Sequence, residues 1–271
     1  MTDEKPIVPG RQPLNPADWA HVPGTAGVPA WKVEVVAETG STNADLLARA
    51  ATAETGVVRV AELQTGGRGR LERTWSSPPG AGLTFSLLVR PTSDVRTWGW
   101  LPLLTGLALA RTVGPPAQLK WPNDLLLGPG AGKAAGILVQ TSGPAVVIGV
   151  GLNVSTTAEE LPVPTATSLA LQSMELDRTQ LLRAFLHEFG ALYAGWLAEH
   201  GDADRSGLAA GYRQACATLG SQVAVQLATS TVRGLAEDVD STGRLLVRPA
   251  GQAVPVAVAA GDVTHLRDAA R

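Results

Sequence analysis

The chain has a single cysteine, Cys216, among 271 residues. An intrachain disulfide is therefore excluded, and with it the stapled architecture of small secreted domains. Histidine is scarce as well. His21, His187, His200 and His265 are scattered without ligand spacing, so no zinc centre is indicated and no metal ligand is assigned. Charge of neither sign dominates: Lys+Arg 22 against Asp+Glu 24 leaves a net charge of −2, which gives no global pull toward DNA, RNA or an anionic membrane. Aromatic residues make up 4%, which argues against the stacking platforms of a single-strand binder. No apolar run reaches spanning length, and no charged-then-apolar leader opens the chain, so the expectation is a cytoplasmic protein without membrane contact. Apolar residues are abundant at 45%, enough for a sizeable core in one large domain or one large plus one small.

Residues 1–30 carry six prolines and little periodicity, which predicts a Pro-rich, mostly irregular arm. From Trp31 the pattern changes. "WKVEVVA" predicts a strand with Trp31, Val33 and Val35 on one face, and "VVRVAELQ" (57–64) and "GLTFSLLVR" (82–90) predict two more. "STNADLLARAA" offers Ser41, Thr42 or Asn43 as the N-cap of a helix. "TWGWLPLLTGLALARTV" (97–113) reads as an apolar helix, either kinked or entered at Pro102. Then "LKWPNDLLL", "KAAGILVQT" and "AVVIGVGLNV", joined by Gly/Pro turns, suggest a hairpin meander. Helices return near 177–199 and 206–217. Short strand-like stretches from Leu219 onward suggest a small appended β-barrel. The fold class is α+β, with a mixed, mostly antiparallel sheet flanked by helices. The expected domains are the arm at 1–30, a main domain at 31–218 and a small β-domain at 219–271.

The chemistry concentrates at strand ends. "TGGRGRLERTW" (65–75) packs three glycines and three arginines into eleven positions. Glycines let the backbone approach a ligand and aim successive N–H groups at one anion, and arginines add planar bidentate donors. Neither a Walker loop nor a Rossmann fingerprint fits the spacing. Alone, the stretch is equally compatible with a solvated loop or a loose RNA-contacting segment. Like-charge repulsion and glycine entropy predict that it is mobile without ligand. "KWPND" (120–124) sets Asn123 and Asp124 beside Pro122, where they can be plain turn formers. Lys133 opens an apolar strand, where it can be an edge gatekeeper. Asn153 closes another such strand.

In order, "GSTNADL" (40–46), "QTGGRGR" (64–70), "TWSSP" (74–78), "KWPND" (120–124), "GKAAGIL" (132–138), "GVGLNV" (149–154), "ATSL" (166–169) and the "GDVTHLR" ending (261–267) resemble the biotin–protein ligases. The resemblance covers roughly residues 31 to 267. It implies the class II aminoacyl-tRNA synthetase-like core of biotin and lipoate ligases with an SH3-like C-terminal β-barrel. It looks like the ligase-only kind, without an N-terminal DNA-binding domain. The implied reaction joins biotin's carboxylate to the α-phosphate of ATP, with Mg²⁺ on the triphosphate. The biotinyl group then passes to a lysine of a biotin carboxyl carrier domain, that of acetyl-CoA/acyl-CoA carboxylase or of pyruvate carboxylase. No prosthetic group is implied.

By resemblance, Lys133, Arg70 and Asp124 are the catalytic residues, with Asp124 orienting or deprotonating the incoming lysine. Ser41, Thr42, Asn43, Gln64, Arg68, Gly69, Arg70 and Lys133 would bind biotin. Arg68, Arg70, Arg73, Trp75, Asn123, Asn153 and Arg267 would line the nucleotide site, with Trp75 packed on the adenine. Asp124 and Asn123 are also candidate Mg²⁺ contacts. One departure concerns the loop itself: the family commonly continues with a basic residue and a glycine, where this chain has Leu71 and Glu72. The alternatives are a lipoate–protein ligase, a non-catalytic biotin sensor and an RNA-binding module.

Overall fold

A computed structural model of the chain describes residues 11–19, 22–24, 30–174 and 177–266. Alternation sets the first layer. β1 (Lys32–Thr39) and β2 (Val57–Gln64) run parallel, an arrangement that requires a crossover, and α1 (Thr42–Ala48) lies within it. β3 (Gly82–Val89) and β7 (Ala145–Asn153) occupy the middle of a seven-stranded sheet of order β1-β2-β3-β7-β6-β5-β4. β4 (Gln118–Lys120), β5 (Asp124–Leu127) and β6 (Gly132–Ser142) complete it, antiparallel throughout. All eight residues of β3 are buried, because both faces of the sheet are covered at this strand, and this is why its sequence runs apolar without alternating.

One face carries the main core. Leu83, Phe85 and Leu87 of β3 and Val146, Ile148 and Val150 of β7 meet α2 (Leu101–Val113) and α3 (Arg178–Ala198) there. A short 3-10 turn leads straight into α2, with Pro102 in the first helical turn. Of the two readings for Pro102, entry is therefore observed and a kink is not. α3 stacks Phe185, Phe189, Tyr193 and Trp196 along one stripe, with successive ring centroids 5.6–6.1 Å apart. α4 (Leu208–Ala215) adds Tyr212 against Trp100. The opposite face is covered only in part. α1 and the turn after it pack Leu46 and Ala50 onto Leu88 and Val147, and the remainder of that face is available to a site.

β8 (Gln222–Gln226), β9 (Thr231–Val239), β10 (Leu245–Arg248), β11 (Val256–Val258) and β12 (Asp262–His265) form an antiparallel sheet of order β11-β10-β9-β8-β12. This is the small SH3-like β-domain, and Val223, Val225 and Leu245 join the main core. No helix among the described residues is long and apolar enough to cross a membrane.

The described part of the proline-rich arm holds a 3-10 turn at Pro16–Trp19 and a bridge from Val22 to Trp31, and it is packed. Leu14, Trp19 and Val22 are buried in the main core. Glu62 on β2 accepts the Leu14 N–H at 2.6 Å and meets Arg178 at 2.8 Å. Arg178, only 3% exposed, also donates to the Gln12 and Gly82 carbonyls. Removing one partner of a buried pair strands the other, so Arg178→Ala is expected to lower unfolding stability by about 3 kcal/mol in urea melts. Arg178→Met combined with Glu62→Gln is expected to recover most of that loss. If the double variant is as unstable as the single, the stranded-charge explanation fails.

Candidate active site

Residues spaced two apart on a strand share a face. Gly149 and Gly151 of β7 therefore point to the α1 side, as does Gly136 of β6, which pairs with Gly151. The neighbouring Leu138 pairs with Gly149. Three glycines thus empty a patch in the middle of the sheet. A side chain at Gly149 would collide with the Asn43 amide, and one at Gly151 with the Trp75 indole. Interior glycines weaken a strand, so the bare floor is a requirement of what lies above it.

The wall toward α1 is a hydrogen-bonded chain. Gln64 Oε1 accepts the Thr42 N–H at 2.8 Å. Thr42 Oγ1 lies 2.7 Å from Ser86 Oγ, and Ser86 Oγ donates to Asn43 Oδ1 at 2.5 Å. Two hydroxyl protons serve this chain, and the order Thr42 to Ser86 to Asn43 satisfies the most acceptors. Asn43 Nδ2 donates to the Leu138 carbonyl and to Gln140 Oε1. The Thr42 and Asn43 side chains are therefore buried and committed within the protein, and they shape the wall. Ser41 caps α1 through the Ala44 N–H at 3.4 Å. Ser86 and Gln140 were not singled out by sequence. A serine inside the apolar run "GLTFSLLV" is the signal that could have found the first.

Lys133 reaches the floor because β6 carries a bulge. The register shifts between Leu125 and Leu126, whose partners are Ala135 and Lys133. Ala134 is the extra residue, and both Ala134 and Ala135 face the core. Without that insertion the strand alternation would turn Lys133 into the core with Ala135. With it, Nζ lies over the floor, 2.6 Å from Asp124 Oδ1. That oxygen has no aligned hydrogen bond, so the contact is an ion pair and not a directed bond. The backbone of Lys133 exchanges hydrogen bonds with Thr165 and Thr167, which docks the "ATSL" segment beside β6. Asn153 Nδ2 donates to the Thr167 carbonyl at 2.9 Å from a buried position.

The basic loop folds back over this floor. Gly66 N–H bonds the Gly40 carbonyl at 2.8 Å and Trp75 N–H bonds the Gly67 carbonyl at 2.9 Å. Gly67 has no room for a side chain, because a Cβ would run into the Trp75 carbonyl. Mutual repulsion of the arginines is countered by acceptors. Arg70 donates to Asn123 Oδ1 at 2.9 Å, while Asn123 donates to the Ile137 carbonyl. Burial lowers the Arg70 pKa, and Asp124 and Asp262 oppose that shift. Arg73 bonds Asp262 of β12, which raises the Arg73 pKa. Burial raises the Asp262 pKa, but the Arg73 bond with nearby Lys120 and Arg70 overrides it, leaving the carboxyl below its ordinary range. Leu71 and Glu72 lie at φ 54° and 58°, a region costly for residues with a Cβ. The structure thus brings together Arg70, Arg73, Asn123, Asp124, Lys133 and Trp75, and adds Asp262 and Lys120, to which the sequence reading gave no role. Arg267 lies outside the described residues.

Four cations, Arg70, Arg73, Lys120 and Lys133, surround two carboxylates here. The surplus favours an anionic ligand above a flat floor. Among the described residues no group of three His, Cys, Asp or Glu is placed to hold a metal, and Asp124 and Asp262 each face a cation. Asn123 and Asp124, the candidate Mg²⁺ contacts named from sequence, are engaged with Arg70 and Lys133.

Comparison with known proteins bears on which anion this is. Residues 34–153 match the Biotin/lipoate A/B protein ligase family, and 218–266 match the Biotin protein ligase C terminal domain. The chain is 45% identical to the biotin–[acetyl-CoA-carboxylase] ligase of Mycobacterium tuberculosis, over 88% of this chain and 90% of that protein. It is 32% identical to the protein of the same name from Paracoccus denitrificans, over 82% and 98%. Among solved structures, the biotin protein ligase of Aquifex aeolicus in complex with biotin and ATP superposes with a TM-score of 0.72 at 24% identity, covering 87% of this chain and 99% of that one.

Because the Arg73–Asp262 pair is largely exposed, at 62% and 42%, it is worth roughly 1 kcal/mol at most. Asp262→Ala is therefore expected to open the loop up to about fivefold more often, read as faster trypsin cleavage after Arg73 in the ligand-free protein. Unchanged cleavage would show that Asp262 does not hold the loop.

Proposed function

The chain belongs to the biotin/lipoate A/B protein ligase family, and we propose that within it this protein activates biotin as biotinyl-5′-AMP and transfers the biotinyl group to a lysine of a biotin carboxyl carrier domain. The observation that carries this reading is the bulge-positioned Lys133–Asp124 pair at the rim of a side-chain-free floor, beneath an arginine loop. A flat bicyclic ring fits a floor of glycines. Its carboxylate needs cations, because the first step brings it against a triphosphate, and two anions approach only where their charge is neutralised.

In that step a biotin carboxylate oxygen forms a bond to the α-phosphorus and pyrophosphate departs. Lys133 and Arg70 face the junction, and Arg73 faces the departing phosphates. Lys133 turning to the phosphate frees Asp124 from its ion pair. In the second step the acceptor amine attacks the biotinyl carbonyl, AMP leaves, and Asp124 takes the amine's proton. Any Mg²⁺ would arrive on the triphosphate as part of that substrate, and none of these roles requires a protein ligand for it. The names of the two relatives favour the carrier domain of acetyl-CoA carboxylase over that of pyruvate carboxylase. The match of residues 218–266 to a biotin-specific C-terminal domain favours biotin over lipoate.

The direct test is incubation with labelled biotin, ATP-Mg²⁺ and a purified carrier domain, with lipoate in a parallel arm. Label on the carrier only in the lipoate arm would overturn the reading. Lys133→Ala is expected to slow biotinyl-AMP formation by about a hundredfold, with folding intact because Lys133 is outside the core. Normal adenylation in that variant would remove Lys133 from the mechanism. Asp124→Asn is expected to impair transfer from preformed biotinyl-AMP more than adenylation, and unimpaired transfer would assign the proton to another base.

A further inference from the structure

One side chain lies against the glycine floor. The Trp75 indole lies across it. A Cβ on Gly151 would run into Cε2 and Nε1 of the ring, and one on Gly136 would come within 3.3 Å of Cζ3. Lys133 Nζ stands 6.0 Å from the ring centroid, on the rim where the proposed carboxylate would sit. The indole therefore covers the Gly151 and Gly136 part of the floor that the proposed function gives to biotin.

Two features show that this placement is weakly held. First, the indole Nε1 has no acceptor there. Trp19, Trp31, Trp100 and Trp196 share that deficit, but they are nearly fully buried, at 0–4% exposed, so packing offsets it. Trp75 is only partly buried and gains less. Second, the loop bearing Trp75 carries two non-glycine residues at positive φ and an exposed Leu71. It is tied to the β-domain by a largely solvent-exposed ion pair.

We propose that Trp75 sets the affinity for the first substrate by competing with it: biotin binds only the fraction of molecules in which the indole has left the glycine floor. Apparent affinity then falls by that fraction. Once lifted, the indole is free to pack on adenine, the part the family resemblance gives it. The residue thus opposes biotin binding alone and assists the binding of nucleotide. The proposal rests on the biotin-ligase reading of the site.

The test is calorimetric binding of biotin alone, without nucleotide, to the wild type, Trp75→Phe and Trp75→Ala. Trp75→Ala is expected to bind biotin about tenfold more tightly, and Trp75→Phe to fall between, since a smaller ring covers less of the floor. In steady state, KM for biotin is expected to fall in Trp75→Ala while KM for ATP rises, a split that general loosening of the site would not produce. Wild-type tryptophan emission is expected to change on adding biotin, and that change to be lost in Trp75→Phe. Equal or weaker biotin binding by both variants, with wild-type melting temperatures, would overturn the competition. No biotin binding by any of the three proteins would overturn the biotin-ligase reading itself, and the proposal with it.

Discussion

The site depends on a strand face with no side chains. Gly149 and Gly151 stand two residues apart on β7, and Gly136 is paired across from Gly151. Strand geometry puts all three on the side away from α2 and α3. Their neighbours on the other side, Ile148, Val150 and Ile137, are core residues. The same strands thus build the core with one set of residues and clear a floor with the other. Everything distinctive follows from that vacancy: α1 can lower Asn43 into it, the basic loop can fold over it, and Lys133 can reach across its rim.

Charge is arranged so that a cluster of cations remains tolerable. A cluster of like charges would expel its own loop or shift its pKa values. Here Lys133 faces Asp124, Arg73 faces Asp262, and Arg70 faces Asn123. The Arg73–Asp262 pair is exposed enough to be exchanged at little cost for a stronger anion. A phosphate, with more acceptor oxygens than a carboxylate, can displace Asp262 from Arg73 without leaving a buried charge stranded. The Arg178–Glu62 pair is the opposite case. It is buried, it also organises backbone from the arm, and it has no ligand to exchange with.

The sequence made much of this legible. Strand 57–64 is read to the residue, and the α+β class and appended β-domain follow from periodicity and turn chemistry. The motifs at strand ends mark most of the site, because alternation with Gly and abrupt polar residues are local signals. Non-local features were not legible. The bulge at Ala134 depends on how β6 pairs with β5, and nothing in "GKAAGIL" alone states that Lys133 changes face. Asp262 is nearly two hundred residues from Arg73, and only the docking of the β-domain brings them together. The packed arm is equally invisible, since Leu14, Trp19 and Val22 share no period with one another.

The docking of the β-domain also explains how one exposed carboxylate can matter. Trp121 of the "KWPND" turn donates Nε1–H to the Gly243 carbonyl at 3.1 Å, and its backbone N–H bonds Thr218. Gly99 and Gly243 approach so closely that a side chain on either would collide with the other segment. Core residues of both sheets form one continuous cluster. The β-domain is therefore fixed against the turn that carries Asn123 and Asp124, and Asp262 stands at a set position relative to Lys133. The basic loop, with two residues held at unfavourable φ, lies between these two fixed elements and is tied to both, through Arg70 to Asn123 and through Arg73 to Asp262.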